Sequence, residues 1–461
     1  MHVLSTAQIR LADAHTIAQQ HISSDELMER AAKVCTEWLL KHMPREAVFG
    51  ILCGPGNNGG DGWAIARMLR TAGRKVIPAA LPAEKFSNDN SLNRERFLDG
   101  GGTSITLNTE NLEQLSQCTV LVDALLGSGL DRALNGNTEK LVAAINQLAV
   151  LRIAIDAPTG FFCDTPMPDK AIALQAHYTL CFQTPRLMYL FADSQRYVGS
   201  WQVLNIGLEY PESAEFKEDD FSKFHYSLQP DLQRLMRRKT TFAHKGTNGH
   251  ALIAGASHGK TGAVVLAARA CLRSGAGLCS TYVPKEAYSI LQSSVPEAMV
   301  YTSEEEQFLS GSFNPERFSA IAFGPGAGMH EDTGRVLKHL LQNSPAPLVI
   351  DADGLNILAE NPTWLAFLPP NTILTPHPGE LDRMCGKTAN AYERWENARE
   401  LSRKTGAIVV LKGAYTAVCS PNGEVYFNST GNPGMAKGGS GDVLTGMICA
   451  LLAQGYPALD A

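Results

Sequence analysis

Asp442 closes a run of small residues, G-N-P-G-M-A-K-G-G-S-G-D at 431 to 442, and the chain continues as V-L-T-G-M-I-C-A-L-L, an apolar helical stretch. A bare backbone loop entering a helix can gather N–H donors around a phosphate, and a carboxylate placed there can take a proton from a hydroxyl. The chemistry expected here is phosphoryl transfer to an alcohol, with Asp442 as general base. A second glycine run, G-P-G-N-N-G at 54 to 59, satisfies G-x-G-x-x-G on a strand-to-helix turn. Alone it is compatible with a nicotinamide dehydrogenase or with a plain tight turn. Asp61 argues against the dehydrogenase, because its charge would repel a pyrophosphate at the helix start.

These residues need elements to hold them. Ser23-x-x-Glu26 is a capping box, and Leu27, Ala31, Val34, Cys35 and Trp38 follow at helical spacing, so an amphipathic helix opens the first half. Residues 48 to 53 then read as a strand, 54 to 62 as a glycine loop, 63 to 71 as a helix and 76 to 81 as a second strand. Two more apolar strands, 119 to 123 and 151 to 156, each end on a carboxylate, Asp123 and Asp156. In an open parallel sheet, ligands bind beyond the carboxyl ends of the strands, so these aspartates are expected at a site. As single residues they could equally cap following helices, and Thr159 could be a turn residue. From about Glu209 to Thr241 the pattern dissolves into Pro, Glu, Asp, Ser and Arg, which places a linker there. A second α/β alternation follows, with strands near 250 to 254, 319 to 323, 347 to 351, 371 to 375 and 407 to 411.

The 461 residues imply about two to three domains at ~100–200 residues each. Charged residues make up 19% and the net charge is −6, with the basic residues dispersed, so neither nucleic acid nor a membrane surface is an expected partner. The ten cysteines form no C-x-x-C pair and mostly lie in apolar runs, reading as buried thiols of a reducing compartment. No signal-peptide core or membrane-length apolar run occurs, and a cytoplasmic location is expected. G-A-S-H-G-K-T-G at 255 to 262 approaches a P-loop, but Ala254 stands where that motif requires glycine, which leaves a P-loop NTPase as the weaker reading.

Four ordered motifs of the first half resemble the epimerase domain of NAD(P)H-hydrate repair enzymes. They are L-M-E-R-A-A at 27 to 32, N-N-G-G-D-G at 57 to 62, V-D-A-L-L-G-S-G-L at 122 to 130 and I-D-A-P-T-G at 155 to 160. The resemblance implies a Rossmann-like domain over residues 1 to 212 that interconverts the C6 epimers of hydrated NADH or NADPH. It further implies that Asn57, Asn58, Gly59, Gly60, Asp61 and the loop Gly127, Ser128, Gly129, Leu130, Asp131, Arg132 and Ala133 hold the substrate, with Asp156 beside it as acid/base. Asn58, Asp123 and Thr159 would bind K+, for which amide, carboxylate and hydroxyl oxygens are suitable donors. Arg186 stands where that family commonly has lysine.

The second half carries H-K-G-T-N-G at 244 to 249, A-C-L-R-S-G-A-G-L at 270 to 278, G-P-G-A-G at 324 to 328, D-A-D-G-L-N at 351 to 356, T-P-H-P-G-E at 375 to 380, L-K-G-A-Y-T at 411 to 416 and the opening G-G-S-G-D. In this order they resemble the ADP- or ATP-dependent dehydratase domain of the same enzymes, a ribokinase-like fold expected over 227 to 461. Two three-layer α/β/α domains are the expected architecture. The resemblance implies that ADP, with Mg2+, phosphorylates the C6 hydroxyl, so that phosphate can leave and restore the ring double bond, giving AMP and phosphate. Ala263, Gly326, His377 and Asp442 would line the hydrate site, and Lys412, Gly413, Ala414, Tyr415, Thr416 and Gly441 would contact the nucleotide. A homo-oligomer with small-molecule partners only is expected. Lys437 replaces the family's small residue beside the anion loop. The family commonly continues for several tens of residues beyond the position of Ala461, with further helices that cover the nucleotide side. A kinase for a small alcohol would use Asp442 but not N-N-G-G-D-G, and a nucleotide-binding regulator would not need Asp442.

Overall fold

A computed structural model describes residues 1–461 and divides them into two units, Met1–Phe224 and His225–Ala461. In the first, apolar runs form seven strands: β1 (Val48–Cys53), β2 (Lys75–Ala80), β3 (Ile105–Thr106), β4 (Val120–Ala124), β5 (Leu151–Ile155), β6 (Tyr178–Phe182) and β7 (Ser200–Leu204). Their order is β3-β2-β1-β4-β5-β6-β7, and all are parallel. The order reverses between β1 and β4, the switch point at which such sheets bind ligands. Alternate strand residues serve opposite layers. Phe49, Ile51, Val122 and Ile153 pack with helices α1 (Thr6–Gln20), α2 (Ser24–His42) and α3 (Asn57–Thr71), whereas Leu52, Leu121 and Ala154 pack with α4 (Gly136–Asn146).

Of the glycine loop expected at 54 to 62, residues 57 to 62 are instead the first part of α3. Gly56 takes the extended N-cap conformation, and Asn90 Nδ2 donates to the carbonyls of Gly54 and Gly56, fixing the chain just before the helix begins. Here glycine answers packing rather than conformation. A Cβ on Gly59 would run into the Gly54 carbonyl, and one on Gly62 would come within 2.8 Å of Ala124. The stretch expected to be a linker contains short helices at Ala214–Lys217 and Gln229–Leu235.

The second unit is built on ten strands: β8 (Phe224–Ser227), β9 (His250–Ala254), β10 (Leu278–Val283), β11 (Met299–Thr302), β12 (Ala320–Phe323), β13 (Leu348–Ile350), β14 (Ile373–Leu374), β15 (Ile408–Leu411), β16 (Ala417–Cys419) and β17 (Val425–Asn428). The order is β11-β10-β9-β12-β13-β14-β15-β16-β17-β8, parallel from β11 to β15, after which β16 and β17 pair antiparallel. The helices that matter for the site are α5 (Thr261–Arg273), α6 (Asp353–Glu360), α7 (Pro378–Cys385) and α8 (Ser440–Ala453). Helices α5 and α8 cover one face through Val264, Ala267, Cys271, Ile448 and Cys449. They meet at Gly446, where a Cβ would collide with the Ala267 carbonyl. Gly446→Ala is therefore expected to force the helices apart and destabilise this unit by about 1–3 kcal/mol. Thermal unfolding measures it, and an unchanged midpoint would mean that the contact can relax freely.

Nine cysteines are buried and Cys385 is exposed, and none is paired. No helix is long and apolar enough to cross a membrane.

Candidate functional site

In the first unit the site gathers beyond the carboxyl ends of β1, β4 and β5. Asp156 follows β5 with φ of 63°, a left-handed conformation that aspartate tolerates better than most residues. Its Oδ1 accepts from Arg186, which follows β6 and is 1% exposed; its Oδ2 accepts from Ser128 N at 3.0 Å. A Cβ on Gly127 would lie 3.3 Å from Asp156 Oδ2 and 3.4 Å from Asn58 Cβ, so the β4 loop, the start of α3 and Asp156 converge. Leu130, Asp131, Arg132 and Ala133 continue that loop at the surface.

Asp123, 1% exposed, accepts from Thr159 Oγ1 at 2.7 Å, Thr159 N at 2.8 Å and Leu125 N at 3.2 Å, while Thr159 Oγ1 accepts from Leu126 N at 3.0 Å. Neither Asp123 nor Asp156 caps a helix; Asp123 ties the loop after β4 to the one after β5. Asn58 Oδ1 and Nδ2 are buried without a protein partner. Asn57, Asn58, Gly59, Gly60 and Asp61 all lie in the first turns of α3.

Electrostatics divide the carboxylates. Burial pushes Asp156 up, but Arg186 and the bonds from Ser128 outweigh it and hold the group below its usual range. Burial, then the charges of Asp156, Asp13 and Asp89, pushes Asp61 well up. Asp13 on α1 reaches about 6, raised by burial and Asp156 against the opposing pull of Arg186. Like charges sharing one counter-ion do not all ionise near neutrality. Asp13 carried no motif and escaped the reading of the sequence; only tertiary folding sets α1 against this cluster. A carboxyl raised on folding keeps its proton where the unfolded chain has lost it. This favours the folded state below about pH 4, and the advantage is lost as pH rises to about 6. Asp13→Asn is thus expected to reduce the decline in unfolding temperature of this unit between those values. Asp123, also near 6 through burial, leaves part of the slope in place. An undiminished slope would show that Asp13 ionises normally.

In the second unit Asp442 lies in the first turn of α8, behind Gly439 at φ 91°. Its carboxylate accepts no protein hydrogen bond, and burial followed by the charge of Asp351 raises it, with Lys412 opposing. Asp351, 1% exposed beyond β13, accepts from Lys412 Nζ at 2.8 Å and from Thr445 Oγ1 at 2.7 Å. A Cβ on Gly441 would stand 3.5 Å from Lys412 Nζ and 3.7 Å from Asp351 Oδ2, so the loop, Lys412 and Asp442 are immediate neighbours. Lys412 Nζ also lies 3.7 Å from Glu380 Oε2. His377 caps α7, accepting from Gly379 N and Glu380 N, and half of its side chain is exposed. Gly413 to Thr416 form the turn between β15 and β16, closed by Gly413 N donating to Thr416 Oγ1 at 3.2 Å; Gly413 and Ala414 are exposed, and Tyr415 is partly buried.

Ala263 in the first turn of α5 faces Gly326, whose added Cβ would lie 3.2 Å from the Ala263 Cβ. Lys260 pairs with Asp353 at 3.2 Å, and Asp353 also accepts from Gly328 N at 2.8 Å, joining the loops after β9, β12 and β13. Lys437 is exposed. Asp351, Asp353, Glu380 and Thr445 were missed in the sequence, although D-A-D-G at a strand end held a signal for the first two.

The family profile of NAD(P)H-hydrate dehydratase matches residues 251–461, and that of the YjeF-related protein N-terminus matches residues 24–188. A bifunctional NAD(P)H-hydrate repair enzyme of Thermofilum pendens is 35% identical over 99% of this chain and 88% of its own length. The enzyme of the same description from Escherichia coli K12 is 32% identical over 95% of this chain and 82% of its own. Among solved structures, the ADP/ATP-dependent NAD(P)H-hydrate dehydratase of Bacillus subtilis co-crystallised with ATP/Mg2+ is 30% identical, spanning 51% of this chain and 85% of that one with a TM-score of 0.43.

Proposed function

The chain belongs to the bifunctional NAD(P)H-hydrate repair enzymes, and from that premise we propose which of its groups perform the epimerisation and the ADP-dependent dehydration. The second domain, residues 227 to 461, carries the dehydratase. Asp442 takes the proton of the C6 hydroxyl as that oxygen attacks the terminal phosphorus of ADP and AMP departs. The C6 phosphate then leaves with its bonding electrons, C5 gives up a proton, and the double bond of NADH or NADPH returns. The observation that carries this reading is the Asp442 carboxylate, free of protein hydrogen bonds at a helix N-terminus beside Lys412. Gly439 to Gly441 offer N–H groups to the phosphoryl, Lys412 supplies positive charge, and Asp351 positions Lys412. Gly413, Ala414, Tyr415 and Thr416 contact the nucleotide, while Ala263, Gly326 and His377 border the hydrate. Mg2+ entering with ADP would offset the charge of its phosphates.

The first domain, residues 1 to 212, carries the epimerase. Asp156, held ionised by Arg186, faces the hydrated ring, and the residues from Asn57 to Asp61 and from Gly127 to Ala133 enclose the substrate. K+ suits this domain because Asn58 has a buried carbonyl oxygen without a partner and Asp123 offers one buried negative charge. Asn58, Asp123 and Thr159 would hold the ion, which would offset that charge. Ten unpaired thiols support a reducing compartment, and we assign the chain to the cytoplasm.

The test is recovery of 340 nm absorbance from mixed R and S NADH hydrate with ADP and K+. Full recovery is expected, because the epimerase replenishes the S form that the dehydratase consumes. A stall near half would remove the epimerase assignment, and no recovery would remove the dehydratase assignment.

A further inference from the structure

We propose that Arg10, on the first helix, grips the phosphate attached to the nicotinamide ribose of the hydrated dinucleotide, and so sets the affinity of the epimerase site. The proposal rests on the reading that Asp156 faces the hydrated ring.

Helix α1 is fastened to the substrate loop at its first residue. Thr6 Oγ1 donates to Ser128 O at 3.2 Å, and Thr6 N donates to Asp164 Oδ2 at 2.9 Å. Residues four apart share a helix face, so Arg10 follows Thr6 along the side turned to that loop. It arrives at Gly129, where an added Cβ would lie 2.6 Å from Arg10 Nη2. Gly129 has no left-handed φ, and the only neighbour a side chain there would meet is the end of Arg10.

Arg10 is exposed and makes no ion pair, leaving its fork of N–H donors free. Its position matches the ligand. Ser128 N holds the carboxylate of Asp156, and Arg10 stands at the next residue. In a nicotinamide nucleotide the ring and its nearest phosphate are separated by one ribose, a longer step than one residue, which the long, exposed Arg10 side chain can span. A ring placed at Asp156 therefore directs its phosphate along the loop toward Arg10, and a guanidinium can meet phosphate oxygens bidentately.

The experiment measures epimerase kinetics together with inhibition by nicotinamide mononucleotide and by nicotinamide riboside, which lacks the phosphate. Wild-type protein is expected to favour the mononucleotide. Arg10→Ala should raise KM for NADH hydrate about 10- to 100-fold with kcat little changed, and should abolish that preference. Arg10→Lys should fall between, since an ammonium keeps the charge but not the fork. Gly129→Ala, which pushes the guanidinium aside while leaving it in the chain, should raise KM in the same direction. An unchanged KM with the preference intact in Arg10→Ala would overturn the proposal, as would a loss confined to kcat. Absence of epimerase activity in the wild-type protein would instead overturn the underlying reading of the site.

Discussion

Asp442→Asn is expected to slow the ADP-dependent dehydration about 10²- to 10⁴-fold, the usual worth of a positioned general base. Asparagine keeps the shape of the side chain at the start of α8 but cannot accept the hydroxyl proton. Lys412, the loop from Gly439 to Gly441 and the turn from Gly413 to Thr416 stay in place, so ADP binding should persist. The rate of 340 nm recovery from the S hydrate gives the first quantity, and calorimetric titration with ADP gives the second. Burial and Asp351 raise the Asp442 carboxyl, so the acidic limb of kcat/KM should lie above the ordinary carboxylate range. A variant that turns over at the wild-type rate would remove Asp442 as the base. A variant that fails to bind ADP would make it a nucleotide ligand instead.

Arg186→Met is expected to destabilise the first unit by about 3–5 kcal/mol, because it leaves Asp156 charged and without its ion-pair partner in a largely buried setting. Loss of the guanidinium also lets the proton affinity of Asp156 rise, since burial is the opposing influence that remains. Epimerase activity near neutrality should fall further than the folded fraction does. Arg186→Lys, restoring the charge, should recover most of the stability. Thermal unfolding with chromatographic separation of the two epimers measures both effects. If Arg186→Met unfolds at the wild-type temperature, the pair contributes little and Asp156 is kept ionised by its hydrogen bonds.

The two variants probe parts of the molecule that differ in how far the chain announces them. Asp442 is visible locally: glycines, a carboxylate and an apolar helix are contiguous, and their chemistry follows from proximity along the backbone. The strands at 48 to 53, 250 to 254 and 408 to 411 are visible for a similar reason, since short β-rich apolar runs can be buried on both faces of a sheet. Residues 57 to 62 misled, because three glycines in six residues resemble a flexible loop. In the structure they are helix, and two of the glycines exist to let that helix lie against neighbouring backbone and strand. Strands β3, β6, β7, β8, β10, β11, β16 and β17 were not picked out; several are short or half-exposed, while β6 and β10, though buried, mix threonine, serine and cysteine with their apolar residues.

What the sequence determined by itself was the strands that lead into the two sites, the division into two α/β halves and the motifs that carry the family, all of them properties of contiguous residues. What only the tertiary structure decided was the pairing of charges. Asp351 meets Lys412 across 61 residues and Thr445 across 94; Asp156 meets Arg186 across 30; and Arg10 reaches Gly129 from the first helix. These partners share no period or spacing. They meet because a parallel sheet brings the carboxyl ends of strands distant in sequence to one edge, and the charge of each residue is then set by whatever the strand order places beside it.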